Sequence, residues 1–153
     1  MTAGDLQRGR RGSVTLEAIL VIPILFITTL AVGQFFIASL VHQAAVNASI
    51  EGVKVASKGG DADAVRDAVN EVLSPVNLAI GTEASVIRET MALSEQRGTY
   101  TCAAPASPML AADEVRVTIC IDMTAAPMLN ALSSFGVTMT GKTLSTSSQM
   151  FNE

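Results

Sequence analysis

One stretch limits what this chain can become. After Glu17 no Asp, Glu, Lys or Arg occurs until Glu51, and within residues 18–41 only Thr28, Thr29, Gln34 and Ser39 carry polar side chains. A helix rises ~1.5 Å per residue, and ~20 apolar residues cross a bilayer core of ~30 Å. The 24 residues of 18–41 are therefore long enough to span with some tilt. They also exceed the ~7–15-residue apolar region of a cleaved secretory signal. An anchor follows from length alone.

The flanking charges set its direction. Arg8, Arg10 and Arg11 precede the run, while residues 42–50 carry no fixed charge. Retained positive charge marks the cytoplasmic side, which predicts residues 1 to about 16 inside and those after about 42 outside. Glu17 needs a reason, because a carboxylate drawn toward the membrane centre costs roughly 2–3 kcal/mol. One reason is the helix dipole, which favours an acid in the first turn by ~0.3–1 kcal/mol.

The other reason comes from a resemblance. A basic leader, Gly12, the small residue Ser13, and Glu17 five positions after the glycine, all fused to an apolar helix, resemble the class III signal of type IV pilins and pseudopilins. Within that group RRGSVTLEAILVIPILF, followed by a long Ala-rich helix ending EGVKVAS, is similar to TadE-like minor pseudopilins of tight-adherence (Flp-type) pili. The resemblance covers residues 8 to about 60 and thins over the closing SSQMFNE. It implies a pilin-like structural subunit, cut between Gly12 and Ser13 by a prepilin peptidase. It further implies Glu17 acting in assembly, and partners that are other pilin or pseudopilin subunits and the membrane platform of a pilus machine. The implied place is a bacterial inner (cytoplasmic) membrane, single pass, with incorporation into a pilus. The rival reading is an unprocessed, signal-anchored extracytoplasmic binding module.

Other features bound the remainder. The formal charge is −4, and removing residues 1–12 takes away three arginines and Asp5, a loss of +2 that leaves −6. An acidic external part gives no footing for nucleic acid, which asks for a basic face. The exported part is rich in Ala, Val, Thr and Ser, and the whole chain has no Trp and one Tyr. Its two cysteines, Cys102 and Cys120, both fall on the predicted external side, where a lone pair is most simply a disulfide. The alternative, a metal pair, lacks further ligands, since the single histidine is His42 at the membrane edge.

Along the chain, residues 1–12 are predicted as a disordered basic leader, and residues 13–58 as one helix that spans over about 18–41 and projects over 42–58. Pro23 removes one backbone bond inside the run, which membrane helices tolerate. Beyond the membrane Val46, Ile50, Val53 and Ser57, flanked by Val41 and Val55, fall on one helical stripe. Lys58-Gly59-Gly60 is a stop, with a cation in the last turn and glycine for the cap. Asn47-Ala48-Ser49 matches a glycosylation triplet but lies in that helix, and is read as accidental.

Residues 59–153 form the external head. GDADAVRDAVNEVLSP is a second helix capped by Asp61 or Asp63, with Val65, Ala68, Val69 and Val72 on one face and Ser74-Pro75 at its end. Residues 84–93 are read as a strand, with a short helix as the alternative, and 94–112 as a long loop. DEVRVTICIDM alternates as a strand, with Val115, Val117, Ile119, Ile121 and Met123 inward and Cys120 on the other face. A helical turn from Pro127 to Gly136, with Met128, Leu129, Leu132 and Phe135 apolar, precedes a last strand in VTMTGKTLSTSSQM, where Gly141 is a candidate bulge. The fold class is α+β: a long N-terminal membrane-spanning helix extending into a small antiparallel sheet head.

No catalytic constellation is present in the sequence, so no enzyme and no cofactor is expected. There is no HExxH, and Gly59-Gly60 follows a helix rather than the strand a phosphate loop requires. Asp61, Asp63, Asp67 and Glu71 lack the loop glycine and distal glutamate of a calcium site, and are read as a solvated helix face.

Overall fold

The computed structural model describes residues 3–102, 110–124 and 141–152, with side chains from position 16 onward. The helical turn expected over 127–136 lies outside the described residues.

Helix α1 runs from Ala3 to Ser57, 55 residues with Pro23 inside it. It begins ten residues before the predicted start near Ser13. No proline interrupts the leader, and Leu6, Gln7, Arg8, Arg10 and Arg11 are good helix formers. Once a long helix exists downstream, each further turn adds hydrogen bonds without a new nucleation cost. The far end stops where the glycines stand. Gly59 has φ +82°. Gly59 N–H donates to Ala56 O at 3.1 Å and Gly60 N–H to Val55 O at 3.0 Å, the paired bonds of a Schellman cap.

Helix α2 spans Ala62–Leu73, and Asp61 caps it by accepting from Ala64 N–H at 2.8 Å. It buries Ala62, Val65, Val69 and Leu73, so Leu73 rather than Val72 completes the apolar face. A short 3₁₀ turn, Ser74–Val76, follows and ends on Asn77 with φ 57°.

Among the described residues four strands, β1 (Ala84–Thr90), β2 (Ser94–Arg97), β3 (Glu114–Asp122) and β4 (Thr143–Phe151), make one sheet in the order β2-β1-β3-β4. Every neighbour is antiparallel. Residues 84–90 are thus a strand, not a helix. The predicted loop over 94–112 contains β2, because Ser94-Glu95-Gln96-Arg97 folds back on β1 through a tight turn. Thr90 N–H donates to Leu93 O at 2.8 Å there, and Arg88 faces Glu95 at 3.4 Å across the pair. Gly141 precedes β4 with φ +73° in a turn, so it is not a bulge within the strand.

Both helices pack on one face of the sheet. Val41, Ala45, Ala48, Val53 and Ala56 of α1 join Val65, Val69 and Leu73 of α2 and Val86, Val115, Val117, Ile119 and Ile121 of the sheet in a single core. The predicted stripe is corrected here: Val53, Ser57 and Val41 are buried, but Ile50 is 37% exposed and Val46 half-buried. Small residues take the contact face because α1 must approach two layers at once. Central β3 is buried on both faces, Arg116, Thr118 and Cys120 included, where alternation predicted only one closed face. Arg116 is accommodated by Glu89, its direct cross-strand neighbour, at 3.5 Å.

Candidate anchoring and assembly helix

Before it reaches the head, α1 is bare. Ile19, Leu20, Ile22, Phe26 and Phe35 are each at least 60% exposed. Consecutive residues point 100° apart on a helix, so exposure at 19, 20, 21 and 22 means that every side is apolar and uncovered. The most apolar window has a mean hydropathy of 2.3, and the helix is long and apolar enough to cross a membrane. A Leu, Ile or Phe side chain gains ~1.5–3 kcal/mol on leaving water, so a continuous surface of this kind requires lipid or protein around it. Two of its polar exceptions are neutralised locally. Thr28 and Thr29 hydroxyls both donate to Leu25 O, at 2.9 and 2.8 Å. In hydrocarbon that is the cheapest way to carry a hydroxyl.

Gly12, Ser13 and Glu17, with Arg8, Arg10 and Arg11 just before them, all lie on the α1 backbone. Ser13 and Glu17 are four residues apart, which is one turn and ~6 Å along the axis, on the same side of the helix. The Glu17 side chain is exposed. The helix thus concentrates the predicted processing and assembly residues at one end of the bare segment, the basic cluster leading and the lone acid opening the apolar surface.

The cysteine pair is a separate feature of the head. Cys102 and Cys120 are joined, Cα to Cα 5.7 Å. Cys120 is fully buried near the C-terminal end of β3, so the bond ties the chain leaving β2 to the sheet's far face. Nearby, the Tyr100 and Thr143 hydroxyls are 2.8 Å apart.

The acids of α2 serve local purposes. Asp61 caps the helix, and Asp63 accepts from Arg97 Nε at 3.0 Å and Nη2 at 3.2 Å, a two-pronged bridge from α2 to β2. Hydrogen bonding to the guanidinium holds the Asp63 carboxyl below its ordinary range and raises Arg97 further. Arg66 contacts Asp67 at 3.0 Å. Among the described residues no group of three or more His, Cys, Asp or Glu gathers that could hold a metal ion.

Sequence reasoning missed the residues that fasten the helix to the head. A Cβ on Gly52 would meet Val69 Cγ2 at 3.0 Å and Val117 Cγ1 at 3.1 Å, so this glycine lets α1 touch α2 and β3 together. Ser49, singled out only as part of a sequon, is buried with its Oγ 2.7 Å from Ser148 Oγ on β4. The available signal was the recurrence of Ala45, Ala48, Ser49, Gly52 and Ala56, small residues at helical spacing.

Residues 12–54 match the family model described as TadE-like protein, consistent with a TadE-like pilus-associated protein. The match covers the bare segment and most of the part of α1 that enters the core, and stops short of α2 and the sheet. No curated protein and no solved structure matches the chain.

Proposed function

We propose that this chain is a minor pseudopilin: a non-catalytic subunit that helps to build a tight-adherence or related secretion-type pilus. It enters the bacterial inner membrane with its N-terminus in the cytoplasm, held there by Arg8, Arg10 and Arg11, and its head outside. A prepilin peptidase cuts after Gly12, and Ser13 becomes the new N-terminus. The bare helix then exchanges lipid for the helices of other subunits, and Glu17 offsets the amine left on Ser13, which lies one turn away. An uncompensated charge at that depth is costly, so the acid has a reason to be there.

The carrying observation is the family match over 12–54, which falls on a helix that is bare in its apolar first part and packed into a small head in its second. The match opens at the residue where cleavage is expected. The deciding experiment is the intact mass of protein extracted from the membranes of its own cells. A chain beginning at Ser13 is the expected result. A mature chain beginning at Met1 would overturn the proposal in favour of an anchored external binding module.

A further inference from the structure

The head has a distinct surface where α1 leaves it. The 3₁₀ turn and Asn77 lie beside α1 and share with it a cleft lined by Ile37, Leu40, Val41, Pro75, Val76 and Asn77, and the chain then runs on through residues 78–83. From 72 to 82 the sequence VLSPVNLAIGT contains no Asp, Glu, Lys or Arg. The segment is firmly held. Leu78 is buried, Ile80 N–H donates to Asn70 Oδ1 at 2.7 Å, and Gly81 N–H donates to Ala84 O at 2.9 Å. It nonetheless leaves Pro75 and Ala79 exposed, near a Leu40 that is 41% exposed, while Val76 and Ile80 are half-buried against the core.

The level of this surface follows from the helix rise. Twenty residues counted from Ala18, the first after the last charge, reach Ile37 and cover ~30 Å, the thickness of the hydrocarbon core. The loop touches α1 at 37, 40 and 41, which is where hydrocarbon gives way to headgroups.

We propose that residues 74–80 form a second membrane contact, seated in the interfacial layer of the bilayer that α1 spans, with Pro75 and Ala79 toward lipid. The inference rests on the reading of α1 as a span. Continuity with the bare helix and the absence of charge over eleven residues identify the partner as a lipid surface. The contact holds the head down at a fixed tilt, where a single helix would let it swing.

The test attaches an environment-sensitive fluorophore to Ala79→Cys in the full chain, Cys102–Cys120 kept oxidised, reconstituted in phosphatidylcholine vesicles. Asp67→Cys, exposed on α2, and Leu25→Cys, exposed in the bare segment, are the references. Quenching of the Ala79 label by headgroup-proximal nitroxide lipid should be several-fold stronger than at Asp67, with weak quenching by aqueous iodide. Iodide quenching as full as at Asp67, with Leu25 shielded, would overturn the contact and leave the span intact. Shielding of Ala79 from both quenchers would mean protein cover, and would equally overturn it. An iodide-accessible Leu25 would instead overturn the span itself.

Discussion

The hydroxyls of Ser49 and Ser148 meet 2.7 Å apart, joining the long helix to strand β4 across 99 positions of sequence. Ser49 Oγ also lies 2.8 Å from Val46 O, to which it donates its one proton, so Ser148 supplies the proton shared between the two serines. Ser49→Ala should destabilise the head by ~1 kcal/mol, and a cycle with Ser148→Ala should return a coupling of ~0.5–1.5 kcal/mol. Chemical denaturation of the detergent-solubilised full chain measures both; additive effects would show that the pair carries no energy of its own.

Gly52 makes a steeper prediction. A valine there needs space already taken by Val69 and Val117. Gly52→Val is expected to destabilise by ~1–3 kcal/mol through overpacking, despite leaving the apolar surface of the span unchanged. A lowered unfolding midpoint with unchanged membrane insertion is the expected pair of results.

Reduction of the disulfide should weaken the head. The bonded cysteines are 18 apart, which on the loop-entropy account is worth ~3 kcal/mol. Unfolding midpoints with and without reductant test this, and so does alkylation: native protein should yield no free thiol.

The Asp63–Arg97 bridge has a pH signature. The Asp63 carboxyl is depressed from 3.8, so its contribution is complete above about that pH and is lost as pH falls through the lower folded value. Arg97 is raised and stays charged throughout the accessible range. Asp63→Asn should flatten the stability curve on the acid side, below about pH 4, and change little at neutrality because the pair is solvated. A mutant curve parallel to wild type down to strong acid would contradict this.

Glu17 is predicted to act after processing. Glu17→Ala or Glu17→Val should still be inserted and cut yet fail to join the filament complex, whereas Gly12→Leu should leave a full-length membrane protein. Co-purification with other pilus subunits, alongside intact mass, separates the two effects. Loss of cleavage in the Glu17 variants would reassign that residue to recognition by the peptidase.

Some of this protein is determined locally and is therefore legible in its sequence. The uncharged run after Glu17 dictates a bare helix, since no short stretch of water-soluble structure tolerates it. Asp61 and Gly59-Gly60 bound α2 and α1 through bonds made within a few residues. Strict alternation marks β3, and two lone cysteines on one side of an anchor find each other. The contact face of α1 was legible only in part: apolarity found Val41 and Val53 but also pointed to Val46 and Ile50, while packing selected Ala45, Ala48, Gly52 and Ala56. Closeness, not hydrophobicity, decides which face meets two layers at once. The short strand β2 was hidden for a related reason: Ser94-Glu95-Gln96-Arg97 has no apolar pattern, and becomes a strand only through the bonds and opposite charges that β1 offers it. The sheet's second buried face belongs to the same class. Arg116 and Cys120 read as solvent-facing residues until the fold brings Glu89 and Cys102 against them. Short-range chemistry thus set the elements and their ends. Which faces meet, and how closely, depended on partners far away in the chain.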